Sequence, residues 1–308
     1  MAESNEQLKP STLFDLTDRV AVVTGGGTGI GLMQARGLHA AGARVYLVSR
    51  RGEVLDNAVK SWGFAGYLTA DITSKAEIEQ LVQDFEKKEG RVDILVANAG
   101  GPGPTHFGAD TSFPDHSMEP GKGLKPKSAQ DYKTEVLKDQ DFKDWDDLFR
   151  LNVSQHMFLA VSFLPLLDLG SKRGLGLPEG KKYTATFITT GSISGTVKQG
   201  QMHYAYNASK AAANHLTETI AFEFTQSTTA KVRVNCIAPG VFPSEMTGGG
   251  RDEKNRSDIS DQMPTMNVPA QRPGKTEDMA MSVQYLAANE FMHGNVLTVD
   301  GGFTLTAP

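Results

Sequence analysis

Arg19-Val20-Ala21-Val22-Val23-Thr24-Gly25-Gly26-Gly27-Thr28-Gly29-Ile30-Gly31 is the stretch that decides the fold. Its first half is a short β-branched run, the pattern of a strand buried on both faces. Its second half is dense in glycine and leads into residues 32–41, which have helical character. A strand, a glycine turn and a helix start together make a phosphate site. Glycines let the backbone approach closely, and the helix N–H groups and dipole favour an anion. Gly25, Gly27, Thr28, Gly29, Ile30 and Gly31 are therefore candidate cofactor contacts.

The alternation continues outward. Residues 43–48 form a second strand ending at Ser49-Arg50-Arg51. An acidic residue at this strand end would bind the adenosine ribose 2′-hydroxyl and repel a 2′-phosphate. Ser49, Arg50 and Arg51 instead offer forked, charge-assisted hydrogen bonds to a phosphate, so the expected cofactor is NADP(H), with NAD(H) as the alternative. Residues 65–70 are a third strand closed by Asp71 and Ile72. Ser74-Lys75-Ala76-Glu77 then reads as a capping box before a helix carrying Ile78, Leu81, Val82 and Phe85. Residues 92–97 form the next strand, closed by Asn98-Ala99-Gly100. This order predicts a doubly wound parallel α/β sheet of Rossmann type, a single domain with right-handed crossovers and helices on both faces.

Composition agrees and excludes several function classes. The chain has 308 residues, 39% hydrophobic and 22% charged, with 32 glycines, enough for one large domain. Its net charge of −5 and lack of a long basic run recommend no nucleic-acid partner. No stretch approaches the roughly 20 consecutive apolar residues of a membrane span, and the polar N-terminus is unlike a signal sequence, so a cytoplasmic protein is expected. The single cysteine, Cys236, lies in an apolar run and reads as a buried core thiol. No Cys/His cluster has metal-ligand spacing, so no metal is expected.

A second signal lies in Tyr206-Asn207-Ala208-Ser209-Lys210. Leu216, Ile220 and Phe224 make residues 206–226 a helix, so Tyr206 and Lys210 share one face a turn apart. A lysine there favours the phenolate and lowers the tyrosine pKa.

Taken together, these marks identify the chain as resembling the classical short-chain dehydrogenase/reductase family over about residues 18–303. They are Thr24-Gly25-x-x-x-Gly29-x-Gly31, Asn98-Ala99-Gly100, Asn152 in Leu-Asn-Val, Ser192 in Gly-Ser-Ile-Ser-Gly, Tyr206-x-x-x-Lys210, Pro239-Gly240 and Val299-Asp300-Gly301-Gly302. The resemblance implies an oxidoreductase that reduces a ketone on a small or medium organic substrate, with Asn152, Ser192, Tyr206 and Lys210 as the catalytic set. In it Tyr206 supplies the proton, Ser192 bonds the carbonyl oxygen, Lys210 holds the nicotinamide ribose, and Asn152 anchors a water that leads to solvent. Pro239, Gly240 and Ser244 would complete the cofactor site. Ser194, His203, Tyr204 and Met246 are candidates for the substrate pocket. The alternatives are an NAD-linked alcohol, sugar or polyol dehydrogenase and a scaffold turned to non-redox isomerisation or cyclisation. The resemblance also implies a homotetramer or homodimer, through the helix after Ser154 and the one bearing Tyr206; Phe158, Val161, Phe163 and Leu164 fit an interface or a core equally.

Several segments depart from the family pattern. Residues 1–17 read as a flexible leader ahead of a catalytic domain spanning 18–308. Residues 101–144 hold a long insertion, its Gly- and Pro-rich surplus about 101–127, which either roofs the substrate cleft, contacts a neighbouring subunit or elaborates the surface. Residues 171–182 read as a basic turn. Residues 245–273 occupy the place of a substrate lid, with Met246, Met263 and Met266 suiting an adaptable apolar pocket and the polar part, 251–261, solvated.

Overall fold

The computed structural model describes residues 5–105, 128–248, 250–259 and 268–307. Seven parallel strands form one sheet: β1 (Val20–Thr24), β2 (Arg44–Ser49), β3 (Gly66–Thr69), β4 (Ile94–Ala97), β5 (Thr186–Thr190), β6 (Arg233–Pro239) and β7 (Val296–Val299). Their order is β3-β2-β1-β4-β5-β6-β7. The order reverses between β1 and β4, and ligands of open parallel sheets bind outside the strand carboxyl ends at such a switch point. The doubly wound sheet expected from the sequence is the one observed, with strand ends shifted by a residue or two.

Two apolar layers hold it. Helices Lys75–Glu89, Gln155–Leu175 and Tyr204–Ser227 cover one face, burying Phe85, Phe163 and Phe224 against Val22, Leu95 and Phe187. Helices Gly29–Ala40, Gly52–Trp62 and Thr276–Ala288 cover the other, burying Leu38, Leu55 and Val283 against Val23, Val45 and Ile188. Strands β1, β4, β5 and β6 are buried at every residue, which is why they read as unbroken apolar runs. Cys236 is a fully buried free thiol.

Several local expectations are corrected. Ser74 caps its helix by accepting from Glu77 N, but the Glu77 carboxylate turns to Asp71 N at 2.7 Å, so the box is not reciprocal. The leader is joined to the domain at its end, since Leu16 is fully buried and donates its amide to the Ala41 carbonyl. The supposed turn at 171–182 begins inside the helix Gln155–Leu175, where buried Ser171 bonds the Lys231 carbonyl. On that helix Phe163 belongs to the core and Phe158 and Leu164 pack partly against it, while Val161 is half exposed. The helical run Phe142–Leu175 is long and apolar enough to cross a membrane by length and composition. Its Leu159, Phe163, Leu166 and Leu167 are buried in the core of this domain. Most of the 101–127 surplus, and Met263 and Met266, lie outside the described residues.

Candidate active site

Asn98 ties the two strands at the switch point together. Its amide nitrogen Nδ2 donates to the Thr24 and Gly25 carbonyls at 3.2 and 3.3 Å, and Thr24 Oγ1 accepts from the Asn98 and Ala99 backbone. This closes the glycine turn. Gly25 has φ +64°, and a Cβ on Gly31 would stand 2.3 Å from the Gly25 carbonyl oxygen, so only glycine at 31 lets the turn pack this tightly on the helix start. The turn ends at Thr28, the N-cap of helix Gly29–Ala40.

From this turn a cleft of about 330 Å³ runs to the ends of β5 and β6. Gly25, Gly27, Thr28, Gly29, Ile30, Ser49, Arg50, Arg51, Asp71, Ile72, Asn98, Ala99, Gly100, Pro239, Gly240, Ser244 and Met246 all line it, together with Ser192, Tyr206 and Lys210. Gly31 lies behind the lining, and so does Asn152. The fit to a nicotinamide dinucleotide rests on the side-chain-free cradle beside a helix N-terminus at one end and a hydroxyl pair with an ammonium at the other. Asp71 accepts from Thr73 N and Oγ1 at 2.9 and 2.7 Å, and its carboxyl is held below the usual carboxylate value chiefly by that backbone bond. Gly240 is required by packing: a Cβ there would meet the Asp300 backbone at 2.7 Å. Ser244 sits against Gly29, with its hydroxyl 3.1 Å from Thr247 Oγ1.

The chemistry gathers where helix Tyr204–Ser227 meets β5. Ser192 caps the short turn Ile193–Gly195, accepting from Ser194 N at 3.1 Å. Burial raises the Tyr206 pKa, and the nearby Ser192 hydroxyl offsets this only in part. Lys210 Nζ donates to the Thr190 carbonyl at 2.9 Å and lies 5.7 Å from the Tyr206 ring centroid. Burial lowers its pKa to about 8. The expectation that Lys210 depresses the Tyr206 pKa is therefore corrected: burial sets the net shift, which is upward, and Tyr206 keeps its proton at neutral pH.

Asn152 lies in a π-helical turn, Arg150–Ser154, between two helices; such turns are frequent at functional sites. It exchanges hydrogen bonds with Gly101 N and O at 2.9 and 3.0 Å and donates to Ser209 Oγ at 3.0 Å. Asn152 thus fixes the segment after β4 to the helix carrying Tyr206. His156 is buried close by, its pKa lowered to about 3 by burial and by the Lys210 charge, so it stays neutral.

Three pocket candidates fall away from the cleft lining. Ser194 Oγ is turned to Gln201 at 2.8 Å. Tyr204 is 41% exposed and pairs its hydroxyl with that of Tyr132. His203 stands edge-on to the Tyr206 ring at 6.1 Å and is not part of the cleft lining. Sequence reasoning missed Glu245, Thr190, Leu151 and Phe242, all of which line the cleft. Thr190 acts through its carbonyl, which no side-chain pattern signals. Glu245 had only its place beside Ser244 to mark it. The segment at 251–259 is not merely solvated: Asn255 and Ile259 are buried, and Asn255 Nδ2 donates to the Val54 carbonyl at 2.9 Å.

The comparisons with known proteins point the same way. Residues 19–119 match the family profile described as short chain dehydrogenase, and residues 128–304 match the one described as enoyl-(acyl carrier protein) reductase. The short-chain dehydrogenase/reductase PhomF of Diaporthe leptostromiformis is 36% identical over 96% of this chain and 94% of its own. A rhamnolipids biosynthesis 3-oxoacyl-(acyl-carrier-protein) reductase of Pseudomonas aeruginosa is 32% identical over 95% of this chain and 98% of its own. Among solved structures, the Pseudomonas aeruginosa RhlG/NADP active-site complex superposes with a TM-score of 0.72 at 32% identity, covering 94% of this chain and 98% of that one.

Proposed function

The chain belongs to the short-chain dehydrogenase/reductase family and is an NAD(P)-dependent oxidoreductase; from that premise we propose that it is an NADPH-dependent reductase that turns a ketone on a small or medium organic substrate into a secondary alcohol. One observation carries the proposal: Ser192, Tyr206 and Lys210 meet at the inner end of a cleft whose outer end is the glycine turn with Arg50 and Arg51. The relative named as a 3-oxoacyl reductase and the neighbour solved with NADP support the ketone and the cofactor.

The nicotinamide would supply a hydride to one face of the carbonyl. Tyr206, kept neutral by burial, donates the proton that the new alkoxide needs, and Ser192 donates a hydrogen bond to the same oxygen. Lys210, fixed by the Thr190 carbonyl, places a positive charge under the pair. Asn152 holds the segment after β4 against Ser209 and stands as the anchor for the water that returns a proton. The same reading takes the chain as a homotetramer or homodimer joined through the helix after Ser154, whose Met157 and Val161 are 40% and 53% exposed, and the helix bearing Tyr206.

Turnover with NADPH and NADH, measured on a ketone panel for the unmodified protein and for Arg50→Asp, tests the proposal. NADPH is expected to be preferred, and Arg50→Asp to erode that preference. Preference of the unmodified protein for NADH would overturn it. An NAD-linked dehydrogenase is favoured by one observation, the Glu245 carboxylate already bound to Arg51 at 2.6 Å.

A further inference from the structure

We infer that Glu245 is an internal stand-in for a cofactor phosphate: its carboxylate draws Thr28, Arg51 and Arg251 together, a phosphate must displace it, and the exchange sets the preference between NADP(H) and NAD(H). The inference rests on the NADPH reading above and adds a residue to it.

The geometry is that of an occupied anion site. Arg51 donates to both carboxylate oxygens, at 3.1 and 2.6 Å, in the forked arrangement guanidinium groups use for carboxylate and phosphate alike. Thr28 Oγ1 donates to Oε2 at 3.0 Å from the N-cap of a 12-residue helix, where the helix dipole adds to the attraction. Arg251 Nη1 reaches Oε1 at 2.5 Å. The donors are strong enough to hold the carboxyl pKa at about 2, chiefly through Arg51. Thr28 and Arg51 are also cofactor contacts expected from the sequence, and all three, Glu245 included, stand at the cleft.

Glu245 is held in place from both sides. Upstream, Ser244 and Thr247 bond each other across the start of the helical turn Glu245–Gly248. Downstream, residues 251–259 dock on helix Gly52–Trp62, the helix that follows Arg51. Asn57 Nδ2 donates to the Glu253 carbonyl and to Asn255 Oδ1, Trp62 Nε1 to the Lys254 carbonyl, and Asn255 Nδ2 to the Val54 carbonyl. The described part of the expected substrate lid therefore clasps the adenosine end of the cleft.

A 2′-phosphate carries more charge than a carboxylate and takes the guanidinium fork in its place. NADH, with a hydroxyl there, leaves Arg51 on Glu245. Glu245 therefore weakens NADPH binding by the cost of the exchange and leaves NADH binding nearly untouched.

Fluorescence titration of NADPH and NADH against the unmodified protein, Glu245→Gln and Glu245→Asp tests this without turnover. Glu245→Gln is expected to tighten NADPH by about tenfold, the scale of one charge-assisted hydrogen bond, and to move NADH by less than about twofold. Glu245→Asp, whose shorter carboxylate cannot reach all three partners, is expected to fall between. Equal changes for the two cofactors, or weaker NADPH binding in Glu245→Gln, would overturn the inference while a native NADPH preference leaves the cofactor reading intact. Tighter NADH binding by the unmodified protein would overturn the cofactor reading, and a selective NADPH gain in Glu245→Gln would still uphold the exchange.

Discussion

Lys210 holds its ammonium 5.7 Å from the centroid of the Tyr206 ring while donating to the Thr190 carbonyl at 2.9 Å. The lysine is thus anchored to the end of β5 and not to the phenol.

Burial lowers the Lys210 pKa from the usual 10.5 to about 8. In the unfolded chain the group keeps its proton up to about pH 10.4, so between about pH 8 and pH 10 unfolding takes up a proton at this site. Stability attributable to Lys210 therefore rises with pH in that window, at up to about 1.4 kcal/mol per pH unit. Thermal or urea unfolding of the unmodified protein and of Lys210→Met should show the unmodified protein gaining on the variant between pH 8 and pH 10. A constant difference would contradict the burial argument.

Ser192 and Ser194 separate by partner. Ser192 lines the cleft with Tyr206 and its hydroxyl accepts from the Ser194 amide, while the Ser194 hydroxyl is turned to Gln201. Ser192→Ala should lower kcat by about 10²-fold or more, in the range of a lost oxyanion donor, with nearly unchanged cofactor affinity. Ser194→Ala should stay within about threefold, a shift of well under 1 kcal/mol. Steady-state kinetics on one ketone decides between them.

Gly195 abuts the backbone of the Tyr206 helix, where an added Cβ would lie 2.6 Å from the Lys210 carbonyl carbon and 2.7 Å from Ala211 N. Neither atom can turn aside. Gly195→Ala should therefore push the Ser192 turn off the helix, costing about 1–3 kcal/mol of stability. The kcat should fall further than KM rises, as measured by unfolding and kinetics together.

Asn255 adopts φ +61° and is almost fully buried, with its side chain on the Val54 carbonyl and Asn57. Asn255→Ala removes the buried side-chain bonds to the Val54 carbonyl and to Asn57 and puts an unsuited residue in a left-handed conformation, each worth about 1–3 kcal/mol. Because the contact is local, amide exchange over 251–259 should quicken by about tenfold or more, while the global unfolding midpoint moves little.

How much of this was legible in the sequence depended on whether a residue acts through its type or through its place. The strands buried on both faces and the glycine turn are local patterns, so the sheet and one end of the cleft could be read directly. Tyr206 and Lys210 could be paired by helical spacing, but their electrostatics could not, because burial is set by elements distant in sequence, such as Gly100 and Thr190. Asn152 and Ser209 meet across 57 positions, and Glu245 meets Arg51 across 194. No periodicity links such pairs. The docking of 251–259 was hidden for a related reason: its contacts run through backbone carbonyls, so a polar composition looked solvated.

Pre-steady-state reduction of a ketone under single turnover, following NADPH absorbance with the unmodified protein and with Tyr206→Phe, tests the central claim most directly. Tyr206→Phe removes only the hydroxyl. The account predicts a loss of about 10²- to 10⁴-fold in the hydride-transfer rate, the range for a positioned general acid, with NADPH affinity retained. A Tyr206→Phe protein that turns over at the unmodified rate would contradict it.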